Sequence, residues 1–479
     1  MINLILLFPI LACLILFISK KDKLNNIFIN IYAIIHFIVS VAFTAKIDLL
    51  PFWQPCSFFA VTDRNVIFLL VMSIVFLAVA NYNNGYMKTE TESAKKIRHY
   101  NYTVLAFVFS MTGAILSTNL GASWVFIEAT TLASAYLIYF HKTKHSIEAA
   151  WKYVFICSIG IALAFVGIIL LTISTGNLNS LYFNDLYANA ASFNKFWLKL
   201  SFVFILFGIG TKMGLAPVHF WLPDAHAQAP SPISALLSAT LLNSAFLMIL
   251  NVFLLMIVAG CDNYARIMMI TMGFISLFVT AVFVYHINNY KRMLAYSSIE
   301  NMGILIIGIA LGGIGAVASI IHLIGHSLIK ASFFLTAGNI LEIFKTKKIK
   351  SVTGILKLDG KTGWLWIFSM LGIVAFPPSV LFISEFLMVK TMLFNKHYIM
   401  CGVFLLLLTI ILYGLAKPII RMCFLAVNTE KENELKENVK HLSWNMYIPQ
   451  IIMLIIAFVL GIYQPDFIAE LIQGSAYGF

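Results

Sequence analysis

Charge is what this chain has least of. Only 11% of its 479 residues are Asp, Glu, Lys or Arg, 61% are hydrophobic, and the mean hydropathy is +0.92. A soluble body typically has about a quarter of its residues charged, so a water-soluble enzyme is excluded. Intrinsic disorder is excluded too, because it requires low hydrophobicity and high net charge. Cysteine is scattered: Cys13, Cys56, Cys157, Cys261, Cys401 and Cys423 stand singly, with no CxxC pair and no His/Cys cluster. Thiolate-held zinc or iron–sulfur centres need clustered ligands, so no metal and no redox cofactor are expected. With only 12 prolines, any local concentration of them is informative.

Long apolar runs are what the chain does have. A membrane-crossing helix takes about 20 such residues, and the apolar content suffices for about 14. A β-barrel would show short alternating segments instead. The fold expected is therefore an all-α polytopic membrane protein with about 14 transmembrane helices. Hydropathy places them at 2–19, 27–44, 64–82, 101–119, 121–140, 150–173, 197–221, 231–259, 264–286, 295–317, 318–343, 363–393, 398–425 and 445–464.

The formal charge of +12 points to sidedness, not to nucleic acid. Loops after odd-numbered spans, counted with the adjoining span ends, hold 23 of the 32 basic residues and the opposite side holds 7, while Lys212 and Lys330 fall deeper within spans. Basic residues concentrate in cytoplasmic loops, so both termini are expected outside, in the cytoplasmic membrane of a prokaryote.

An internal duplication is written in the spacing of ionisable residues. Glu128 to Lys212 is 84 residues and Glu300 to Glu385 is 85, and a shift of 172 also lays Ser158 on Lys330. Five spans per unit make the second copy inverted, as in many transporters. The expected divisions are a three-helix segment (1–100), a first five-helix repeat (101–260), an inverted second repeat (261–428), and a charged loop with a last helix (429–479).

Prolines interrupt matching helices. Pro217, Pro223, Pro230 and Pro232 follow Lys212, and Pro377 and Pro378 precede Glu385. Proline removes a backbone donor, and such breaks persist at membrane depth only inside protein or beside a hydrated cavity. Helices 7 and 12 are thus expected to be broken.

A charge at the bilayer centre costs about 2.5–3.5 kcal/mol on insertion scales. Glu128, Lys212, Lys330 and Glu385 are accordingly the candidates for function, and proton transfer is the chemistry they permit. His322, His326 and Lys330 stand at i, i+4 and i+8 on one helix face. Histidine suits a shuttle; the i, i+4 pair also fits zinc, but no carboxylate lies between. His219, Asp224 and His226, beyond Lys212, either line an entry path or cap the broken helix. Lys417 is a further candidate near a span end. Glu300 is a further path-lining candidate; it sits near its expected span start, where simple solvation would also explain it. The run 429–438 reads as a solvated loop.

These residues resemble the antiporter-like proton-translocating subunits of respiratory complex I, of Mrp antiporters and of energy-converting nickel–iron hydrogenases. The most specific stretch is Pro-Val-His-Phe-Trp-Leu-Pro-Asp-Ala-His-Ala-Gln-Ala-Pro at 217–230. The resemblance spans roughly 60–425. It implies a fourteen-helix core with two inverted repeats and a chain of charged residues through Glu128, Lys212, Lys330 and Glu385. Where many complex I members carry a lysine in the eighth helix, this chain has Asn243. Leu-Leu-Asn there, with Ser-Ile-Glu-Asn-Met-Gly and His-Ser-Leu-Ile-Lys-Ala, is most similar to the hydrogenase-4 component F branch. The resemblance implies membrane partners and peripheral redox subunits, the bilayer as surroundings, and no nucleic acid. Its alternatives are an Mrp-type Na+/H+ antiporter subunit and a non-pumping anchor.

Overall fold

The computed structural model describes residues 1–19, 22–47, 57–89, 93–176, 178–427 and 432–479. Lys20, Lys21, Cys56 and Lys431 lie outside them, as does the start of the 429–438 run. Helices account for nearly everything. Among the described residues there are only isolated β-bridges, at Phe59–Ser117, Asn119–Tyr182 and Asn289–Lys348.

An N-terminal bundle comprises α1 (Ile2–Ser19), α2 (Asp22–Thr44), α3 (Val66–Thr89) and α4 (Ala94–Leu116). Its polar lock is His36 on α2, wholly buried, which bonds the Ser73 hydroxyl of α3 at 2.7 Å and the Thr112 hydroxyl of α4 at 3.0 Å. Next come α5 (Leu120–Ile138), α6 (Lys144–Thr175), a short α7 (Phe183–Asn189) and α8 (Lys195–Met213). The chain then breaks, as the prolines require, before α9 (Trp221–Gln228) and α10 (Ser231–Leu236). Helix α10 runs through a π turn, Leu237–Leu241, into α11 (Leu242–Val258) as one continuous helix.

The second half opens with α12 (Asp262–Phe283), α13 (Tyr290–Leu311) and α14 (Ile314–Phe344). A small α15 (Ile355–Leu358) leads to α16 (Gly360–Ile373), a break, and α17 (Val380–Phe394). Then follow α18 (Tyr398–Phe424), α19 (Glu432–Lys440), α20 (Ile448–Leu460) and α21 (Asp466–Ala476). Helix packing joins α4–α5, α5–α6 and α6–α8 in the first half, and α12–α13, α13–α14, α14–α16 and α14–α17 in the second.

Helices thus occupy all fourteen expected stretches. Ten are long and apolar enough to cross a membrane by themselves, and an eleventh follows if the bent pair α19 and α20 is one span. The chain is a multi-pass membrane protein, and its rim matches: Phe394 and Ile399 are each 86% exposed.

Two of the boundaries that depart from the hydropathy reading bear on the site. The tenth and eleventh helices divide at Gly312–Gly313, both with positive φ, a conformation that glycine adopts without steric cost. Helix α13 also starts five residues early, because the Asn289 side chain caps the backbone N–H groups of Lys291 and Arg292. The loop expected at 429–438 is partly helical. In α19, Glu432 pairs with Lys436 at 2.9 Å, and Leu435 packs with Ile343 and Val427.

Helices α6 and α8 make the most extensive contact among the described residues, and small residues permit it. A Cβ on Gly208 would stand 2.5 Å from the Gly160 carbonyl oxygen, and Ser201 Oγ donates to the Gly167 carbonyl at 2.7 Å. Close backbone approach through such residues is how helices associate in lipid. Here it fixes the register that delivers Lys212.

Candidate functional site

Lys212 is the penultimate residue of α8, wholly buried. Its ammonium donates to the Tyr153 hydroxyl at 2.8 Å, not to Glu128. Tyr153 in turn shares a 2.6 Å hydrogen bond with Ser134 of α5 and lies against Trp221 of α9, ring centroids 4.8 Å apart. Glu128, half-buried on α5, accepts from Thr131 at 3.0 Å. Glu128, Thr131 and Ser134 are spaced by three along α5, so they share one helix face. A ladder of hydroxyls thereby links the carboxylate's helix face to the lysine. Trp221 Nε1 donates to the Thr211 carbonyl at 2.7 Å, holding α9 against the end of α8.

The second centre lies on α14. Lys330, wholly buried, donates to the Leu294 carbonyl of α13 at 2.7 Å. His326 is wholly buried one turn away, and both ring nitrogens lack a protein partner. His322 differs: one nitrogen meets the Ser384 hydroxyl at 2.9 Å and the other the Asn301 amide oxygen at 3.0 Å. Its two bonds make it a tie between α13 and α17. Among the described residues, no three His, Cys, Asp or Glu side chains gather as a metal site.

Between the centres stands Asn243, just past the π turn. Its amide donates to the Ala239 carbonyl at 2.8 Å and to Ser327 of α14 at 2.7 Å, while its oxygen lacks a protein partner. Buried polar atoms without protein partners are where ordered water is held. Such atoms on Asn243 and His326 mark the interval between Lys212 and Lys330.

The proline-rich segment divides. His226 is wholly buried, stacked on Phe334 at 4.8 Å, with both nitrogens unpartnered. His219 is buried against Phe220, ring centroids 4.7 Å apart. Asp224 has another part: it pairs with Arg292 at 2.8 Å and Lys152 at 3.3 Å, a half-exposed staple across α6, α9 and α13.

Two expectations are corrected. Glu300 is not solvated: with α13 beginning at Tyr290, it falls mid-helix and is 5% exposed. Lys417 does not join the buried set; it lies on the exposed face of α18, 5.3 Å from the Tyr413 ring centroid. Two residues were missed. Tyr153 gave no sequence signal beyond being apolar. Lys291, counted as a loop lysine, is wholly buried and donates to the Ala229 carbonyl at 2.6 Å. The capping Asn289 two residues earlier would have placed it inside the helix.

The fold and site define a multi-pass helical membrane protein that keeps charged groups inside its bundle. The chain belongs to the NADH:quinone oxidoreductase/Mrp antiporter transmembrane family, matched over residues 117–411. It is 31% identical to the hydrogenase-4 component F homolog of Methylacidiphilum infernorum (isolate V4), over 98% of each chain. It is 26% identical to an Na(+)/H(+) antiporter subunit of Alkalihalophilus pseudofirmus (strain ATCC BAA-2126 / JCM 17055 / OF4), over 81% of this chain and 78% of that one. In fold it resembles a chain of the membrane-bound sulfane sulfur reductase, an archaeal respiratory membrane complex, with a TM-score of 0.86 at 20% identity over 100% and 97% of the two chains. A chain of the Mrp complex from Dietzia sp. DQ12-45-1b gives the same score at 17% identity, over 99% and 96%. Its relatives are antiporter-like subunits.

Proposed function

We propose that this chain moves protons as a cofactor-free membrane subunit of a complex I-like or energy-converting hydrogenase-type assembly. Redox chemistry in peripheral partner subunits drives the movement, and further membrane subunits flank the chain. The path runs through Glu128, Lys212, Asn243, His326, Lys330 and Glu385, in two inverted five-helix units within about 14 spans. The observation that carries this is that Lys212 on α8 and Lys330 on α14 are both wholly buried, with Asn243 bonded from α11 to Ser327 of α14 between them. A buried lysine whose partner approaches and withdraws can hold or release its proton near neutral pH. Moving one charge against 100 mV costs about 2.3 kcal/mol, so a free-standing pore would dissipate the gradient and partners are required. The charge bias of the loops supports both termini outside, and the bilayer is the cytoplasmic membrane of a prokaryote.

The test is to purify the chain with whatever subunits accompany it, reconstitute the assembly in liposomes, and follow proton uptake with a pH-sensitive dye under an imposed potential. Lys212→Ala and Lys330→Ala are each expected to abolish uptake in an intact assembly. Unchanged uptake in both would end the proposal.

A further inference from the structure

Two carboxylates on different helices face one cavity. Glu300 is 5% exposed in the middle of α13, and its Oε2 has no protein partner. Glu385 projects from the second half of the broken helix. Both line a cavity of about 170 Å³, walled otherwise by the end of α16 at Val374 and Ala375 and by Leu405, Leu408 and Leu412 of α18. That volume holds a few water molecules. The hydroxyl in the wall, on Thr409, is committed to the Leu405 carbonyl of its own helix at 2.8 Å.

The placement of the two carboxylates is fixed. His322 bonds Asn301, the residue after Glu300, and Ser384, the residue before Glu385. One imidazole thus sets α13 against α17 at the level of both acids. On its other side Glu300 lies within electrostatic reach of Lys330, whose ammonium donates to Leu294 of the same helix α13. Glu300 thus shares helix α13 with the carbonyl that holds Lys330 and shares a cavity with Glu385. Two carboxylates at one apolar-walled cavity cannot both carry charge cheaply. A glutamate kept at membrane depth without full bonding is costly where an apolar side chain would pack.

We propose that Glu300 carries the proton between Lys330 and Glu385, and that the two carboxylates hold one proton between them at a cavity lying against α18. The proton leaves the Lys330 ammonium, giving a neutral amine, and the Glu300 carboxylate becomes the acid. Glu385, which held the shared proton, releases it to water in the cavity against α18. The proton on Glu300 then passes to the Glu385 carboxylate, Glu300 returns to its ionised form, and the amine is reloaded by the next proton arriving along α14. His322 positions the pair and does not itself carry the proton. The inference rests on the proton-translocating function proposed above.

The reconstituted assembly tests it. Glu300→Gln is expected to lower uptake about a hundredfold, the low end of what a positioned proton carrier contributes, with Glu300→Asp recovering part of the rate. On a serial route Glu300→Gln/Glu385→Gln is expected to be no slower than the slower single variant. Multiplying losses would mean two routes and overturn the proposal. If Lys212→Ala abolishes uptake but Glu300→Gln leaves it unchanged, this inference alone fails; if Lys212→Ala and Lys330→Ala leave uptake intact, the function itself fails. A measurement free of substitutions uses N,N′-dicyclohexylcarbodiimide, an apolar reagent for protonated carboxyls, on the unsubstituted assembly. Peptide mass spectrometry is expected to find the adduct on Glu300 or Glu385, with uptake blocked; no adduct on either overturns the proposal.

Discussion

The Asn243 amide reaches the Ser327 hydroxyl across 2.7 Å, and this contact joins the helix after the first lysine centre to the helix that carries the second. Ser327 lies one residue beyond His326 and three before Lys330, and its hydroxyl donates onward to the Leu323 carbonyl at 2.7 Å. Asparagine holds no transferable positive charge, but it keeps an oriented polar group where the two halves meet.

Asn243→Leu should therefore uncouple the halves. With both lysines intact, proton uptake by the reconstituted assembly is expected to fall at least about tenfold, and Asn243→Lys is expected to retain it. Equal rates for asparagine and leucine would show that nothing passes between the halves here.

Tyr153→Phe removes the acceptor of the Lys212 ammonium. Stranding a buried donor costs about 1–3 kcal/mol, and more for a charged one, so thermal unfolding in detergent should occur at a lower temperature. Adding Lys212→Met should restore most of that loss, because the uncompensated charge goes with it. A double variant as unstable as the sum of both changes would deny that the two side chains interact.

Gly208→Val forces a side chain into the Gly160 backbone and the Ala164 side chain. Overpacking of this kind costs about 1–3 kcal/mol. Gly402 on α18, with nothing near its would-be Cβ, is the control: Gly402→Val should leave the melting temperature within experimental error. Equal behaviour of the two variants would remove the close approach of α6 and α8 as the reason for glycine at 208.

Lys347, in the loop after α14, donates to the Ala227 carbonyl at 2.7 Å, and its burial pulls its pKa down to about 8. The folded state then binds fewer protons than the unfolded one between about pH 8 and the ordinary lysine value near 10.4, so stability rises with pH across that window. Acylation by a small amine-directed reagent, read peptide by peptide, should show a midpoint near 8 for Lys347 and a much higher one for exposed lysines. In Lys347→Gln the rise of melting temperature over this window should flatten. A Lys347 midpoint matching the exposed lysines would contradict the effect of burial.

Much of the fold was legible because membrane burial leaves few choices: apolar runs give helices, and proline clusters give breaks. The breaks after Lys212 and before Glu385 fell where the prolines stand. The errors were at helix starts and ends, where hydropathy is blind to capping: Asn289 moved α13 and with it both Lys291 and Glu300. Lys212, Lys330 and His326 were legible as scarce charged or titratable groups in apolar sequence. Tyr153 was not, since an aromatic residue in a hydrophobic helix reads as packing until a lysine from another helix meets its hydroxyl. His322 and His326 looked equivalent in the sequence. Only the neighbours supplied by α13 and α17 separate a tied imidazole from one with both nitrogens unpartnered.

Asp224 gives the two halves a common mechanical pivot. Its carboxylate grips a lysine on α6 and an arginine on α13, and it rides on the short helix that follows the first break. A tilt of that helix cannot be private to the first half; it tugs α13, and with it the backbone carbonyl that holds Lys330. Two relays that share no charged contact would still feel each other as levers on one pin.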